Sequence, residues 1–155
     1  MPAKPLLVGA LILAGCGGGG NSNWQQVRGN GFGYSALAAW TVSGAAATSG
    51  PVDRVEVLVF RLVRPYDPAQ RSLTALELDR VATRIAAQLK GSVRSKRSLE
   101  VAGLDARSYR IAFAGKTEEI TFVLDGQREY QLLCRRAAGA SDGPCVELLD
   151  TFALR

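Results

Sequence analysis

The sequence predicts an α+β fold in which a mostly antiparallel sheet packs against one main amphipathic helix. Residues 55–60 read Val-Glu-Val-Leu-Val-Phe, an apolar run rich in β-branched side chains that is typical of a buried strand. Residues 74–91 carry apolar side chains at spacings of three and four, which indicates a helix with one apolar stripe. From residue 93 onward, short strand-like segments alternate with turn residues, and this order favours hairpins over parallel crossovers.

The N-terminal residues have the form of an export leader. Lys4 supplies a positive charge, and an apolar run of about nine residues follows, which is short of the roughly 20 that a membrane-spanning helix needs. The run ends in Leu13-Ala14-Gly15-Cys16, which resembles the lipobox of bacterial lipoproteins. The resemblance implies that residues 1–15 are a signal peptide and that Cys16 is lipidated after cleavage. An ordinary secretory leader with an incidental cysteine is the alternative.

Residues 16–31 are predicted to hold the lipidated cysteine and a flexible tether, because a glycine run at 17–20 is followed by Asn-Ser-Asn. The glycine run is not a phosphate-binding loop, since no Gly-Lys-Ser/Thr follows it. Residues 32–155 are predicted to form a single domain. The hydrophobic fraction of 47% and the charged fraction of 21% are those of a folded protein, and the formal net charge is +5.

The first part of the predicted domain contains three strands. Gly29-Asn30-Gly31 is a turn, after which Phe32 and Tyr34 alternate with small residues in a short strand. A second strand is predicted at residues 40–42 and a loop at 44–51, where small and turn-forming residues predominate. Residues 55–60 form the third strand, which we expect to be central and at least partly covered on both faces.

The helix is predicted to begin at Thr74. Thr74 and Glu77 fit a capping box, in which the hydroxyl accepts from a backbone amide and the carboxylate reaches back. Gly91 lies where a left-handed C-terminal cap is expected. The outer face is mixed in charge, so we expect the apolar stripe to pack on the sheet rather than to bind nucleic acid or a membrane.

The C-terminal half is predicted to be strands and turns. The segment 93–99 is polar and basic, as in an edge strand, and residues 109–113 alternate with period two. A strand at 119–124 is joined to one at 129–134 by Asp125-Gly126, a strong hairpin pattern. The last apolar run, residues 146–154, fits either a strand or a short helix.

Two cysteines remain besides Cys16. Cys134 and Cys145 flank a small, polar, turn-rich loop, and an even pair in an exported protein predicts a disulfide. A redox or metal pair is the alternative. A metal site needs further ligands, and the chain has no histidine, so we predict no metal and no cofactor.

Catalytic arrangements are few in this sequence. Without histidine, a Ser-His-Asp or Cys-His arrangement cannot be built. Neighbouring Glu118 and Glu119 are expected on opposite faces of one strand, which argues against a shared acid–base site. A serine–lysine pair with Lys96 is the remaining candidate, and it needs a desolvated lysine in a segment that is strongly charged. The candidate serines are Ser92, Ser95 and Ser98.

The segment containing Arg94, Lys96 and Arg97 is the candidate surface contact. Three basic residues within four positions suit contact with anionic lipid headgroups or an acidic envelope polymer. A charged edge strand that blocks aggregation is the alternative interpretation. Nucleic acid is not an expected partner, because no aromatic residues are interleaved with these charges.

The order of these patterns resembles a known domain family. An aromatic strand precedes Trp40, an apolar strand precedes the amphipathic helix, and a Gly-Leu-Asp-Ala-Arg turn at 103–107 leads into the next strand. The hairpin then returns as Tyr-Gln-Leu-Leu-Cys at 130–134, and the chain ends on Leu-Leu-Asp-Thr-Phe at 148–152. This order resembles the Mog1/PsbP-like family. The resemblance implies an antiparallel sheet sandwiched by helices, and a non-enzymatic binding or assembly module with no catalytic residues.

The sequence therefore predicts a lipid-anchored protein of the cell envelope, facing the periplasm or the exterior from the cell membrane or outer membrane. The lipid is expected to anchor the protein in the membrane, and the domain is expected to bind an envelope protein or a small ligand of unknown identity. An envelope hydrolase using carboxylates or a serine–lysine pair, and a structural lipoprotein with a membrane-contacting basic strand, are the alternatives.

Overall fold

The structure, a computed structural model, describes residues 23–155. Within them, antiparallel strands form two sheets accompanied by two α-helices, which confirms the predicted α+β class. The strands are β1 Trp24–Gly29, β2 Phe32–Leu37, β3 Thr41–Ser43, β4 Ala46–Ser49, β5 Asp53–Arg61, β6 Ser92–Val101, β7 Leu104–Phe113, β8 Lys116–Asp125, β9 Arg128–Ala137 and β10 Ala153–Leu154. The helices are α1 Arg71–Gln88 and α2 Gly143–Thr151.

The larger sheet has seven strands in the order β3-β4-β5-β9-β8-β7-β6, and every pairing is antiparallel. Strands β6 to β9 follow one another as hairpins, whose turns contain Gly103, Gly115 and Gly126, each at positive φ. The basic strand β6 lies at one edge, where sequence alone placed it. Strand β5 lies between β4 and β9, as its apolar run predicts, but its cover is partial: only Val55 and Val57 are buried, and Val59 and Phe60 are exposed.

The smaller sheet pairs β1 with β2 and β2 with β10. It corrects the predicted extent of the tether: residues 24–29, which we assigned to the tether of residues 16–31, form β1. All six of its residues pair with β2, from Trp24 opposite Leu37 to Gly29 opposite Phe32. This strand is hard to predict from its own sequence, Trp-Gln-Gln-Val-Arg-Gly, because only Val27 is buried and no alternation of apolar residues results. The loop predicted at residues 44–51 likewise contains a short strand, β4.

Helix α1 begins three residues before the predicted start. A 3-10 helix, Pro68–Gln70, precedes α1 directly, and the Asp67 side chain accepts a hydrogen bond of 2.9 Å from the amide of Ala69. Aspartate followed by proline is a favourable start for a helix. The carboxylate accepts from a backbone amide that has no partner within the helix, and proline has no amide hydrogen that would need one. Thr74 therefore lies inside α1 and is not its N-terminal cap, contrary to our prediction.

The end of α1 also differs from the prediction. Lys90, with a φ of 55°, adopts the left-handed conformation that we expected at Gly91. The amide of Gly91 then bonds to the carbonyl of Ala86 at 2.8 Å, which completes a Schellman motif. Gly91 is required for a different reason: a Cβ there would lie 2.4 Å from the carbonyl oxygen of Ala112 on β7.

The seven-stranded sheet separates two hydrophobic clusters. On one face the apolar stripe of α1 packs on β7 and β8; its buried members are Leu78, Ala82, Ala86, Tyr109, Ile111, Ile120, Phe122 and Leu124. On the other face the smaller sheet and α2 cover the second cluster, which includes Val27, Phe32, Tyr34, Val55, Val57, Val123, Tyr130, Leu132, Leu148 and Phe152. The fold is therefore layered, with α1 on one side of the sheet and a mixed layer on the other.

The structure joins Cys134 of β9 to Cys145 of α2 in a disulfide, with the two Cα atoms 5.4 Å apart. Both residues are buried in the cluster beneath α2. The apolar run at residues 146–154, which fitted either a strand or a short helix, contains both: α2 ends at Thr151, and β10 follows at Ala153–Leu154.

Candidate ligand-binding cavity

A cavity of about 280 Å³ lies between the first turns of α1 and the end of the β6–β7 hairpin. Ala75, Leu78 and Leu124 line it with apolar surface. Polar groups of Tyr66 and Asp105 converge on the same space. The cavity is open to solvent on one side, and apolar walls with a few convergent polar groups are the usual form of a small-molecule site.

The polar groups of the cavity form a connected network. The Tyr66 hydroxyl donates to a carboxylate oxygen of Asp105 at 2.8 Å, and the Arg71 guanidinium lies 2.7 Å from the other oxygen. Burial, and then the hydrogen bond to Asp105, raise the pKa of the Tyr66 hydroxyl. The Arg71 side chain is 65% exposed, so its ion pair with Asp105 is weak and the guanidinium can turn toward a bound anion.

A second network adjoins the cavity through Arg107, which lines the cavity and binds Asp79 of α1. Arg107 donates from Nε to one Asp79 oxygen at 2.8 Å and from Nη2 to the other at 3.1 Å. The Tyr109 hydroxyl donates to the same carboxylate at 2.6 Å, and Lys96 Nζ also donates at 2.6 Å. These bonds hold α1 against β6 and β7.

The Asp79 network shifts two pKa values in opposite directions. Hydrogen bonds, above all those from Arg107, hold the pKa of Asp79 well below its usual range, although burial opposes them. Burial and the hydrogen bond to Asp79 raise the pKa of Tyr109. At neutral pH the carboxylate is therefore charged and the phenol is protonated, which is a stable pairing rather than a poised acid–base couple.

The two neighbouring glutamates point to opposite faces of β8, as the strand period predicts. Glu118 accepts from Arg135 Nε at 2.6 Å. Glu119 pairs with Arg110 at 2.9 Å and with Arg136 at 3.0 Å. Their side chains are 7% and 10% exposed. The structure does not bring the two carboxylates together, and each is neutralised by arginine.

The candidate surface residues on β6 are separated. A bulge between Val93 and Ser95 leaves Arg94 without a register partner on β7. Lys96 lies opposite Tyr109 and is bound to Asp79, whereas Arg97 lies opposite Ser108. Lys96 Nζ donates a hydrogen bond of 2.6 Å to Asp79, and the lysine side chain is 54% exposed, whereas the base of a serine–lysine pair needs a desolvated amine.

Cys16 and the signal peptide lie outside the described residues. Within residues 23–155, no helix is both long and apolar enough to cross a membrane. In the same part of the chain, no group of three or more His, Cys, Asp or Glu side chains is placed to hold a metal ion.

The residues that build the cavity and the network beside it were not predicted as site residues from the sequence. Asp79 could have been noticed, because it is an acid beside the apolar stripe formed by Leu78 and Ala82, where a charge needs a partner. Tyr66 and Asp105 carry no such pattern, since they are 39 residues apart and meet only in the folded chain.

Comparison with known proteins supports the fold. No protein-family model matches the sequence. No curated protein matches it either. The structure is similar to the solution structure of cyanobacterial PsbP (CyanoP) from Synechocystis sp. PCC 6803, with a TM-score of 0.57 and 14% identity over 92% of this chain and 99% of that one. The chain has a PsbP-like fold.

A crystal structure from Bacteroides thetaiotaomicron VPI-5482 also matches, with a TM-score of 0.44 and 12% identity. That match covers 86% of this chain and 42% of the other, so this chain spans less than half the length of that protein.

Proposed function

We propose that this chain is a membrane-anchored envelope lipoprotein whose domain is a non-enzymatic binding module. The leader and Cys16 support the anchoring. The cavity between α1 and the β6–β7 hairpin carries the proposal of binding, because it joins an apolar interior to the Tyr66–Asp105–Arg71 network. The ligand class that suits it is a small molecule with an apolar body and an anionic group that Arg71 can meet.

A binding role accounts for the polar groups better than catalysis does. The carboxylates of Glu118 and Glu119 are each paired with arginine, and Lys96 is paired with Asp79. A hydrolase would need one of these groups free to accept or release a proton beside a substrate. The pairing of these three groups therefore favours a binding module over the envelope hydrolase.

The proposal is tested by filling the cavity. The probe is 8-anilinonaphthalene-1-sulfonate, which has an apolar ring system and one anionic group. Ala75→Phe places a ring in the cavity, and we expect it to weaken probe binding at least tenfold. Ala87→Phe is the matched control, because Ala87 is exposed on the same helix near its other end.

Both variants should keep the circular dichroism spectrum of the parent protein. Probe binding that survives Ala75→Phe, or that falls equally with Ala87→Phe, would show that the cavity is not the binding site. A second variant, Arg71→Gln, should weaken binding of the anionic probe and leave binding of an uncharged naphthalene probe unchanged.

A further inference from the structure

Two arginines face each other at one end of the seven-stranded sheet. Arg61, the last residue of β5, lies directly opposite Arg128, the first residue of β9. Both share strand parity with residues buried beneath the smaller sheet, such as Val57 and Tyr130, so both side chains lie on that face. Arg64 follows in the exposed loop after β5. We call Arg61, Arg64 and Arg128 the arginine surface.

The charges of the arginine surface are poorly compensated within the protein. Like charges directly opposite on neighbouring strands repel each other. Asp125 is the register partner of Arg128 on β8, but within the described residues none of the three arginines forms an ion pair. The four other arginines on β7 and β9 all form ion pairs: Arg107, Arg110, Arg135 and Arg136.

Exposed apolar side chains are concentrated at the same place. Of the seven large apolar side chains exposed in the described part of the chain, three lie between residues 59 and 63: Val59, Phe60 and Val63, at 42%, 46% and 99%. Val59 lies on the same sheet face as Arg61, whereas Phe60 lies on the opposite face. Arg61 and Arg64 alternate with them along the chain. Apolar groups interleaved with unpaired cations indicate a contact surface more than a solubilising one.

From this combination we propose that the arginine surface docks on a bilayer containing anionic phospholipid. The arginine guanidinium groups bind lipid phosphates in the interfacial zone. Val59, which shares the strand face of Arg61, and Val63 of the adjoining loop enter the acyl boundary beneath them. A protective role at a sheet edge does not explain the charges, because β5 and β9 are inner strands. The contact is additional to lipidation of Cys16 and does not depend on it.

The test is flotation of residues 17–155, which retain every described element, with vesicles of phosphatidylcholine containing 30% phosphatidylglycerol. We expect binding at low salt that falls as ionic strength rises, and little binding to pure phosphatidylcholine. Arg61→Gln with Arg64→Gln should weaken binding at least tenfold, since each arginine near an anionic surface is worth about fivefold in partitioning. Val63→Ser should weaken it several-fold while leaving the fold intact.

The matched control is Arg94→Gln with Arg97→Gln, which removes the same charge from the edge strand β6. This control should keep most of the binding. The proposal is overturned if the Arg61/Arg64 variant binds as the parent does, if the β6 variant loses as much binding, or if the parent fails to bind the anionic vesicles. Binding to soluble polyglutamate but not to vesicles would also overturn it, in favour of an acidic polymer.

Discussion

Asp79 is the residue at which most of the polar contacts of α1 converge. Its side chain is 19% exposed and accepts from Arg107, Tyr109 and Lys96. Because the carboxylate is partly buried, replacing it with an amide removes the charge and turns one of the two acceptor oxygens into a donor that faces the donors of Arg107, Tyr109 and Lys96. The residue thus links the helix to two strands of the sheet.

We predict that Asp79→Asn lowers the free energy of unfolding by about 2–3 kcal/mol at pH 7. The folded-state pKa of Asp79 is lowered, so its contribution is present above the unfolded-state pKa of about 3.9 and is lost as pH falls toward the folded-state value. The difference between parent and variant should therefore shrink below pH 4. Urea unfolding of both proteins at pH 7, 5, 3.5 and 2.5 measures this difference in the free energy of unfolding.

Glu77→Gln is the control for this series, since Glu77 is an exposed carboxylate of the same helix. It should change the free energy of unfolding by less than about 0.5 kcal/mol. A difference between parent and Asp79→Asn that stays constant down to pH 2.5 would contradict the role assigned to the charge.

At the scale of elements, α2 is held by packing, by hydrogen bonds and by one covalent link. Leu148 is buried in the cluster beneath the helix, and the Thr151 hydroxyl accepts from the amide of Ser35 on β2 at 2.8 Å. The disulfide from Cys145 to Cys134 closes the loop between β9 and α2. This link restrains the unfolded chain as well as the helix.

We predict that Cys134→Ala with Cys145→Ala lowers the free energy of unfolding by about 3 kcal/mol in the chain-entropy treatment of a loop of this length. Urea unfolding of the oxidised parent, the reduced parent and the double variant measures the effect. The reduced parent keeps both sulfur atoms, so it separates loss of the cross-link from loss of packing. A urea midpoint that does not move on reduction would contradict a stabilising disulfide.

The helix and most strands of the larger sheet follow from local sequence. The apolar stripe of α1, the alternation in β7 and the Asp125-Gly126 turn each determine one element, because period and turn chemistry act over a few residues. Strand β1 does not, because pairing with β2 stabilises it more than its own composition does. The start of α1 shifts to Arg71 because Asp67 and Pro68 together outweigh the capping pattern at Thr74.

At the scale of the whole molecule, the first described strand, β1, begins eight residues beyond Cys16 and its proposed lipid. Two chain-level features then bear on where the protein acts. One is the leader with its lipobox-like end, and the other is the arginine surface. Together they predict a domain held close to an anionic membrane by a lipid and by its own side chains.

We predict that protein extracted from membranes after expression of the full chain lacks residues 1–15 and carries acyl chains on Cys16. Intact mass spectrometry measures both changes. Cys16→Ser should lose the acyl mass, whereas Cys134→Ser with Cys145→Ser should keep it, because only the first cysteine follows a leader. An unmodified, soluble product from the parent chain would remove the basis for a lipid anchor.

By itself, the sequence determined the α+β class, the amphipathic helix, the hairpins and the cysteine pair, because each depends on periodicity or on residues close together in the chain. Only the tertiary structure decided the smaller sheet, the cavity beside Tyr66 and Asp105, and the opposition of Arg61 and Arg128. These features depend on the register and packing of segments tens of residues apart. Pairing over such distances is selected by burial in the complete fold, and no short stretch of sequence contains it.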